Sequence, residues 1–248
     1  MSVYAFSDIH GNYELFTKIK NYIKDNDTVY CLGDCCDRGA DGIKIMQEVL
    51  ADKRFIYILG NHEVLFMDAV RQASPDGRFS FRHFDKQDLE LLCYNGTDKT
   101  LHEFTSLTDQ EQQELTEALT HQPVYKEYIN KNNQTIFLSH AGGNPLTLYF
   151  PKRDFEYYWD RKHISKQGWD NQFYSNLYVV HGHTPVQCIP FYNKQVKISA
   201  YDKVCFYCEG HKIDIDLGTP TTNTVALLNL DTFETIYFKQ DDKSSLDN

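Results

Sequence analysis

The sequence predicts an α/β fold in which a parallel sheet with crossover helices is followed by a second, mixed sheet. Three observations predict it. Short apolar runs alternate with helical periodicity over the first 70 or so residues. β-rich runs return in close succession after residue 134. The chain of 248 residues, 41% hydrophobic and 24% charged, has the length and apolar content to bury one sizeable core.

The elements follow in order. Val3–Ser7 is an apolar run that reads as a strand. Asn12–Lys24 carries Leu15, Phe16, Ile19, Tyr22 and Ile23 at helical spacing. Thr28–Leu32 is a second strand and Ile43–Leu50 a second helix. Arg54–Leu59 is a third strand, followed by a helix over Val64–Arg71. Pro75, Asp76 and Gly77 break the pattern across Ser74–Arg82. Residues 87–130 read as mostly helical, with a capping box at Thr108-x-x-Glu111 and a stop before Pro123. Thr135–Leu138, Leu177–Val180, Val196–Ala200, Lys212–Ile215, Thr224–Leu228 and Thr235–Phe238 are expected to form the second sheet. Residues 1–240 read as a single domain, and residues 241–248 as a polar tail.

Charge and cysteine usage narrow the function classes. A formal net charge of −10 argues against nucleic acid or an anionic membrane as partner. It leaves room for a local anion site, because a metal ion reverses the field around it. No run reaches the 18 or more apolar residues that span a bilayer. Met1 and Ser2 lead into Val3-Tyr4-Ala5-Phe6 without a basic segment, and the seven scattered Cys suit reduced thiols. Both point to a cytoplasmic location. Cys205-x-x-Cys208, with His211 beyond it, has the spacing of half a zinc site, but no second pair completes four ligands. It reads as a hairpin that carries thiols.

The chemistry stands just after the apolar runs. Asp8-Ile9-His10-Gly11-Asn12 follows the first, and Gly33-Asp34-Cys35-Cys36-Asp37-Arg38-Gly39 the second. Gly60-Asn61-His62-Glu63 follows the third. Ser139-His140-Ala141-Gly142-Gly143 and His181-Gly182-His183-Thr184-Pro185 follow two later strands. Loops at strand ends are where α/β proteins place their sites. Mixed oxygen and imidazole donors suit borderline divalent metals. The donors outnumber the needs of one tetrahedral ion, so two metals sharing a carboxylate is the natural reading, an arrangement that clamps a phosphoryl group. Arg38 offers a planar fork for phosphate. His62 is a candidate acid and Asp37 its orienting partner. His181 and His183 compete for one ligand role, since strand alternation sends only one of them to the site. Glu63 reads as a supporting carboxylate, and Cys35 and Cys36 as small buried fillers. His83, His102, His121 and His163 read as surface or satisfied polar residues.

Taken together, Asp-x-His-Gly, Gly-Asp-x-x-Asp-Arg-Gly, Gly-Asn-His-Glu, His-Ala-Gly-Gly and Gly-His-Thr-Pro resemble the phosphoprotein phosphatases among the calcineurin-like metallophosphoesterases, closest to the bacterial and phage branch. The resemblance covers roughly residues 3–63, 135–145 and 177–186. It implies a β-sandwich of two mixed sheets flanked by helices, with about 64–130 helping to shape the substrate cleft. It implies two divalent ions, Mn²⁺ first, with Fe, Zn or Ni as alternatives. Asp8, His10 and Asp34 would hold one ion. Asp34, Asn61, His140 and His183 would hold the other, which settles the His181 question in favour of His183. His62, paired with Asp37, would be the proton donor. Arg38 and Asn61 would contact phosphate, and Arg161 in Tyr158-Trp159-Asp160-Arg161 would be the second phosphate arginine. Ile215-Asp216-Leu217-Gly218 is similar to a late Ile-Asp-Thr-Gly strand end, with Leu in place of Thr.

These readings converge on a metal-dependent phosphomonoesterase of the protein serine/threonine phosphatase type, open to phosphotyrosine or phosphohistidine. Attack is expected from hydroxide at a two-metal centre without a phosphoenzyme, since no cysteine lies in a nucleophile loop. The partner is a phosphorylated protein or a small phosphate ester. One alternative is a nucleotide hydrolase such as a symmetrical diadenosine tetraphosphatase. The other is a metal-bound scaffold without activity.

Overall fold

The computed structural model describes residues 1–143, 154–165, 175–198 and 200–241. Its first part realises the expected alternation: β1 (Val3–Phe6), α1 (Tyr13–Tyr22), β2 (Thr28–Cys31), α2 (Gly42–Ala51), β3 (Phe55–Tyr57) and α3 (Asn61–Ala73). The Asn12 side chain accepts the Leu15 N–H and starts α1, which buries Leu15, Phe16 and Ile19. β1 pairs in parallel with β2, and β2 with β3. α3 begins at Asn61, three residues earlier than its periodicity alone suggests, so Asn61 and His62 lie in its first turn.

A helical layer comes next, made of α4 (Lys86–Asn95), α5 (Thr97–Phe104) and α6 (Asp109–Thr120). The Thr108–Glu111 capping box forms as the sequence predicts. Gly96 joins α4 to α5 in the left-handed region, with φ of 79°. A methyl group there would meet the Arg38 backbone nitrogen at 2.5 Å, so only glycine fits this close approach.

The second part is β4 (Tyr125–Ile129), β5 (Thr135–Ser139), β6 (Leu177–His181), β7 (Cys205–Tyr207), β8 (Lys212–Asp214), β9 (Thr224–Asn229) and β10 (Thr235–Lys239). Among the described residues two five-stranded sheets result, ordered β10-β9-β1-β2-β3 and β4-β5-β6-β8-β7. Both are mixed. This corrects the expectation in three places. Thr224–Leu228 and Thr235–Phe238 do not extend the second sheet, because β9 pairs antiparallel beside β1 and carries β10 with it. Tyr125–Ile129, within the stretch expected to be helical, is an edge strand against β5. Val196–Ile198 form no strand. The Cys205–Cys208 segment is the expected hairpin, β7 against β8.

Strand alternation divides the core. Val3, Ala5, Tyr30 and Leu32 face Ile136, Leu138, Val180 and Ile213 between the sheets. Tyr4, Phe6, Val29 and Cys31 face the helices, packing with Phe16, Ile19, Met46 and Phe66. Both faces of β1 and β2 are therefore buried, which accounts for their continuous apolar runs. Truncating one such side chain, Leu138→Ala, would cost about 2–5 kcal/mol. The Asp241 N–H donates to Glu14 on α1. The rest of the expected tail, 242–248, lies outside the described residues. Among the described residues no helix is long and apolar enough to cross a membrane.

Candidate metal centre and phosphate cleft

Loops from both sheets converge at one end of the sandwich. Those after β1, β2 and β3 bring Asp8, His10, Asp34, Asp37, Arg38, Asn61 and His62. Those after β5 and β6 bring His140 and His183. Asp8, His10, Asp34, Asp37, Arg38 and His183 all hold positive φ, between 46° and 68°. Such a conformation costs on the order of 1–3 kcal/mol per residue and persists only where the surroundings enforce it.

Three of the imidazoles are anchored to backbone carbonyls, which can only accept. His10 Nδ1 donates to Cys36 O at 2.9 Å, His140 Nδ1 to Leu32 O at 2.7 Å and His183 Nε2 to Trp159 O at 2.9 Å. The remaining nitrogen of each ring turns inward, the side from which a metal ligand would bind. Donor atoms of Asp34, His140 and His183 lie within 4.8 Å of one another, and so do those of His10, Asp34 and His62. Asp34 belongs to both groups. Asp8 Oδ1 is 3.9 Å from His10 Nε2, and Asn61 Oδ1 is 2.9 Å from His140 Nε2. Two hard carboxylates, one amide and three imidazoles therefore surround a shared volume, and the donor set fits a pair of borderline divalent ions.

Electrostatics match. Burial holds His10 down to about 3, and burial with His140 nearby holds His183 well below the ordinary range, so both are neutral donors. Burial raises Asp8 to about 6 against the pull of His140. For Asp34 burial is outweighed by His140 and His62, and the carboxyl stays well below its ordinary value. Burial likewise opposes the charge on His140, but Asp34 and Asp8 push it up to about 10. Asp8, Asp34 and His140 thus form one tightly interacting buried charge cluster.

His62 differs from the other three rings in its anchor, which is a carboxylate. Its Nδ1 is 2.6 Å from Asp37 Oδ2, while Nε2 faces Asp34 Oδ2 at 3.8 Å. Burial disfavours the imidazolium, yet Asp34 and Asp37 raise its pKa overall. A cavity of about 250 Å³ opens over the centre, lined by Asp34, Asn61 and His62 with Arg38 and Arg161. Arg38 is exposed, and its guanidinium makes no ion pair with a described residue. Arg161 Nε donates to Thr184 Oγ1 at 3.0 Å. A second hollow of about 350 Å³ shares His10, Arg38 and Pro220 with the first.

The remaining sequence candidates separate cleanly. His181 turns away to the Tyr207 hydroxyl at 2.6 Å, leaving the inward position to His183. Glu63 accepts the N–H groups of Asp34, Cys35 and Gly60 and so supports the loops. Burial raises the Cys35 and Cys36 thiols well above their usual range. His163 departs from the other three unassigned histidines: it is buried edge-on against His181, with ring centroids 4.7 Å apart. Sequence reasoning missed Trp159 and Asn95, which line the cavity, and Thr97 and Thr100, whose hydroxyls reach Asp37. Nothing local distinguishes two threonines on an amphipathic helix from ordinary packing residues.

A model of the calcineurin-like phosphoesterase family matches residues 1–187. The chain is 30% identical over 120 residues to serine/threonine-protein phosphatase 2 of Salmonella typhimurium, an alignment covering 47% of this chain and 46% of that protein. It is 26% identical over 216 residues to the asymmetrical bis(5'-nucleosyl)-tetraphosphatase PrpE of Oceanobacillus iheyensis, covering 75% and 78%. The chain thus spans under half the length of the Salmonella relative. A crystal structure proposed to be a diadenosine tetraphosphatase superposes with a TM-score of 0.60 at 14% identity, over 97% of this chain and 94% of that one. At that identity the likeness speaks to the fold alone.

Proposed function

The chain belongs to the calcineurin-like phosphoesterase family, and from that premise we propose that it is a metal-dependent phosphomonoesterase acting on phosphoserine and phosphothreonine in proteins. The buried Asp37–His62 pair, with His62 at the edge of the Asp34-centred donor groups, carries this reading.

Asp8, His10 and Asp34 would hold one ion, and Asp34, Asn61, His140 and His183 a second, with Mn²⁺ the first candidate and Fe, Zn or Ni next. When bound, such a pair supplies Lewis acidity to the phosphoryl oxygens and an activated water. The side chains do the rest. Arg38 and Arg161 grip the free phosphate oxygens, assisted by Asn61. Asp37 holds the His62 Nδ1–H, so that Nε2 faces the cleft and hands its proton to the departing oxygen. No covalent phosphoenzyme forms on this reading, because burial keeps the Cys35 and Cys36 thiols neutral and, among the described residues, no cysteine or serine lines the cavity.

The proton donor also speaks to the substrate. A serine or threonine alkoxide is strongly basic and needs a proton as it leaves. A phosphate leaving group, whose second pKa is about 6, needs far less help. An invested acid therefore favours esters over the anhydrides of dinucleoside tetraphosphates. Parallel assays with added Mn²⁺ on a phosphoserine peptide and on diadenosine tetraphosphate test this. The peptide is expected to be turned over at least tenfold faster, and the reverse order would assign the chain to the nucleotide hydrolases. Absence of both activities in metal-loaded protein would leave the scaffold reading standing.

A further inference from the structure

Asp37 is fully buried and holds a φ of 66°, a conformation its own backbone disfavours. Its carboxylate is gripped from the helical layer. Thr97 Oγ1 donates to Oδ2 at 2.6 Å, and Thr100 Oγ1 donates to Oδ1 at 2.7 Å. The Thr100 oxygen also accepts the Asp37 N–H at 2.9 Å, closing a ring around the residue. Both threonines have no exposure. They sit three apart on one face of α5, in its first turn. The same turn holds the next residue: the Gly96 carbonyl accepts the Arg38 N–H at 3.3 Å, and Lys99 Nζ donates to Arg38 O at 2.6 Å.

We propose that Thr97 and Thr100 are positioning residues that act through Asp37 to aim the His62 proton at the leaving oxygen. The inference rests on the proposed role of His62. A carboxylate can turn about its Cβ–Cγ bond and lose its hold on an imidazole. One hydroxyl on each oxygen pins that rotation, so Oδ2 stays on the His62 Nδ1–H at 2.6 Å. Packing around α5 would need no hydroxyl, and a buried Thr hydroxyl without a partner is costly. Here both hydroxyls end on the one carboxylate that orients the acid.

The test exploits leaving-group basicity, which a merely structural role would not sense. kcat and KM are measured for wild type, T97V, T97S, T100V and T100S on a phosphoserine peptide and on p-nitrophenyl phosphate, with H62N and D37N as references. The acid matters greatly for the alkoxide and little for p-nitrophenolate. T97V and T100V are expected to lower kcat at least about tenfold on the peptide and about twofold or less on the aryl ester, with KM steady. T97S and T100S keep the hydroxyl and are expected near wild type. In a D37N background, T97V is expected to add less than about twofold, because its route is already cut. Equal losses on both substrates, serine variants as poor as valine variants, or additivity with D37N would overturn the proposal. T97V decides if T100V melts early, since T100V also orphans the Asp37 N–H. If H62N itself shows no preference between substrates, the proton-donor role falls and this inference with it. If H62N discriminates and the threonine variants do not, only this inference falls.

Discussion

His62 Nδ1 and Asp37 Oδ2 meet at 2.6 Å, with His62 4% exposed and Asp37 not exposed at all. An acid–carboxylate contact sealed from water is strong and directional. It fixes which imidazole nitrogen faces the cleft.

Replacing His62 by Asn should therefore remove proton delivery while leaving phosphate binding to the arginines. We expect kcat on a phosphoserine peptide to fall about 10²–10⁴-fold with KM little changed. Steady-state kinetics on metal-loaded protein check this, and a variant that lost only KM would assign His62 to binding instead.

Asp34 is shared by both ligand groups, and its Oδ1 also accepts the His62 N–H at 3.0 Å. Asp34→Asn should weaken metal binding at least about 100-fold. Elemental analysis of the purified variant should show fewer ions per chain than wild type, alongside loss of Mn²⁺-stimulated aryl phosphate hydrolysis. Full metal content with full activity would contradict the shared-ligand arrangement.

Glu103 caps α2 by accepting the Gly42 and Ile43 N–H groups at 3.0 Å each. Burial raises its carboxyl from 4.5 to about 7. Between those values the folded chain keeps a proton that the unfolded chain has released. Stability contributed by this group is therefore present below about 4.5 and is lost as pH rises toward about 7. Glu103→Gln carries no charge at either end. Melting temperatures at pH 5 and pH 8 should show a smaller decline for E103Q than for wild type, and equal declines would remove Glu103 as the cause.

Gly96 cannot take a side chain without moving the Arg38 backbone. Gly96→Ala should destabilise by about 2–4 kcal/mol, combining left-handed strain with overpacking. For a chain of this size that is a melting temperature lower by roughly 4 °C or more. A melt indistinguishable from wild type would show that the α4–α5 junction yields at no cost.

Much of this was legible in the chain because the donors sit in short loops whose spacing is local. Asp8 and His10, or Asn61 and His62, need only a strand before them and a turn after. The helix starts at Asn12 and Thr108 were legible for the same reason, since a cap is a contact over three residues. Pairing is not local. β9 carries the same apolar run whether it lies beside β1 or beside β8, and its place goes with packing distant in sequence, Val225 and Leu227 on the helix side and Leu228 between the sheets. β4 was missed because an edge strand with Lys126, Glu127 and Ile129 exposed has no alternation to read. Thr97 and Thr100 were missed because the carboxylate they serve lies 60 or more residues upstream.

The partition of the centre between the two sheets has one more consequence. Asp34 rides on one sheet, His140 and His183 ride on the other, and Asp34 Oδ1 comes within 3.3 Å of His140 Nε2. An ion held across that seam would be a rivet through two plates. Free metal at a hundred times its dissociation constant would add about 2.7 kcal/mol to the folded state. The lifetime of the protein would then follow the metal supply of its surroundings, and starvation for the ion would thin the population of molecules before it slowed those that remained.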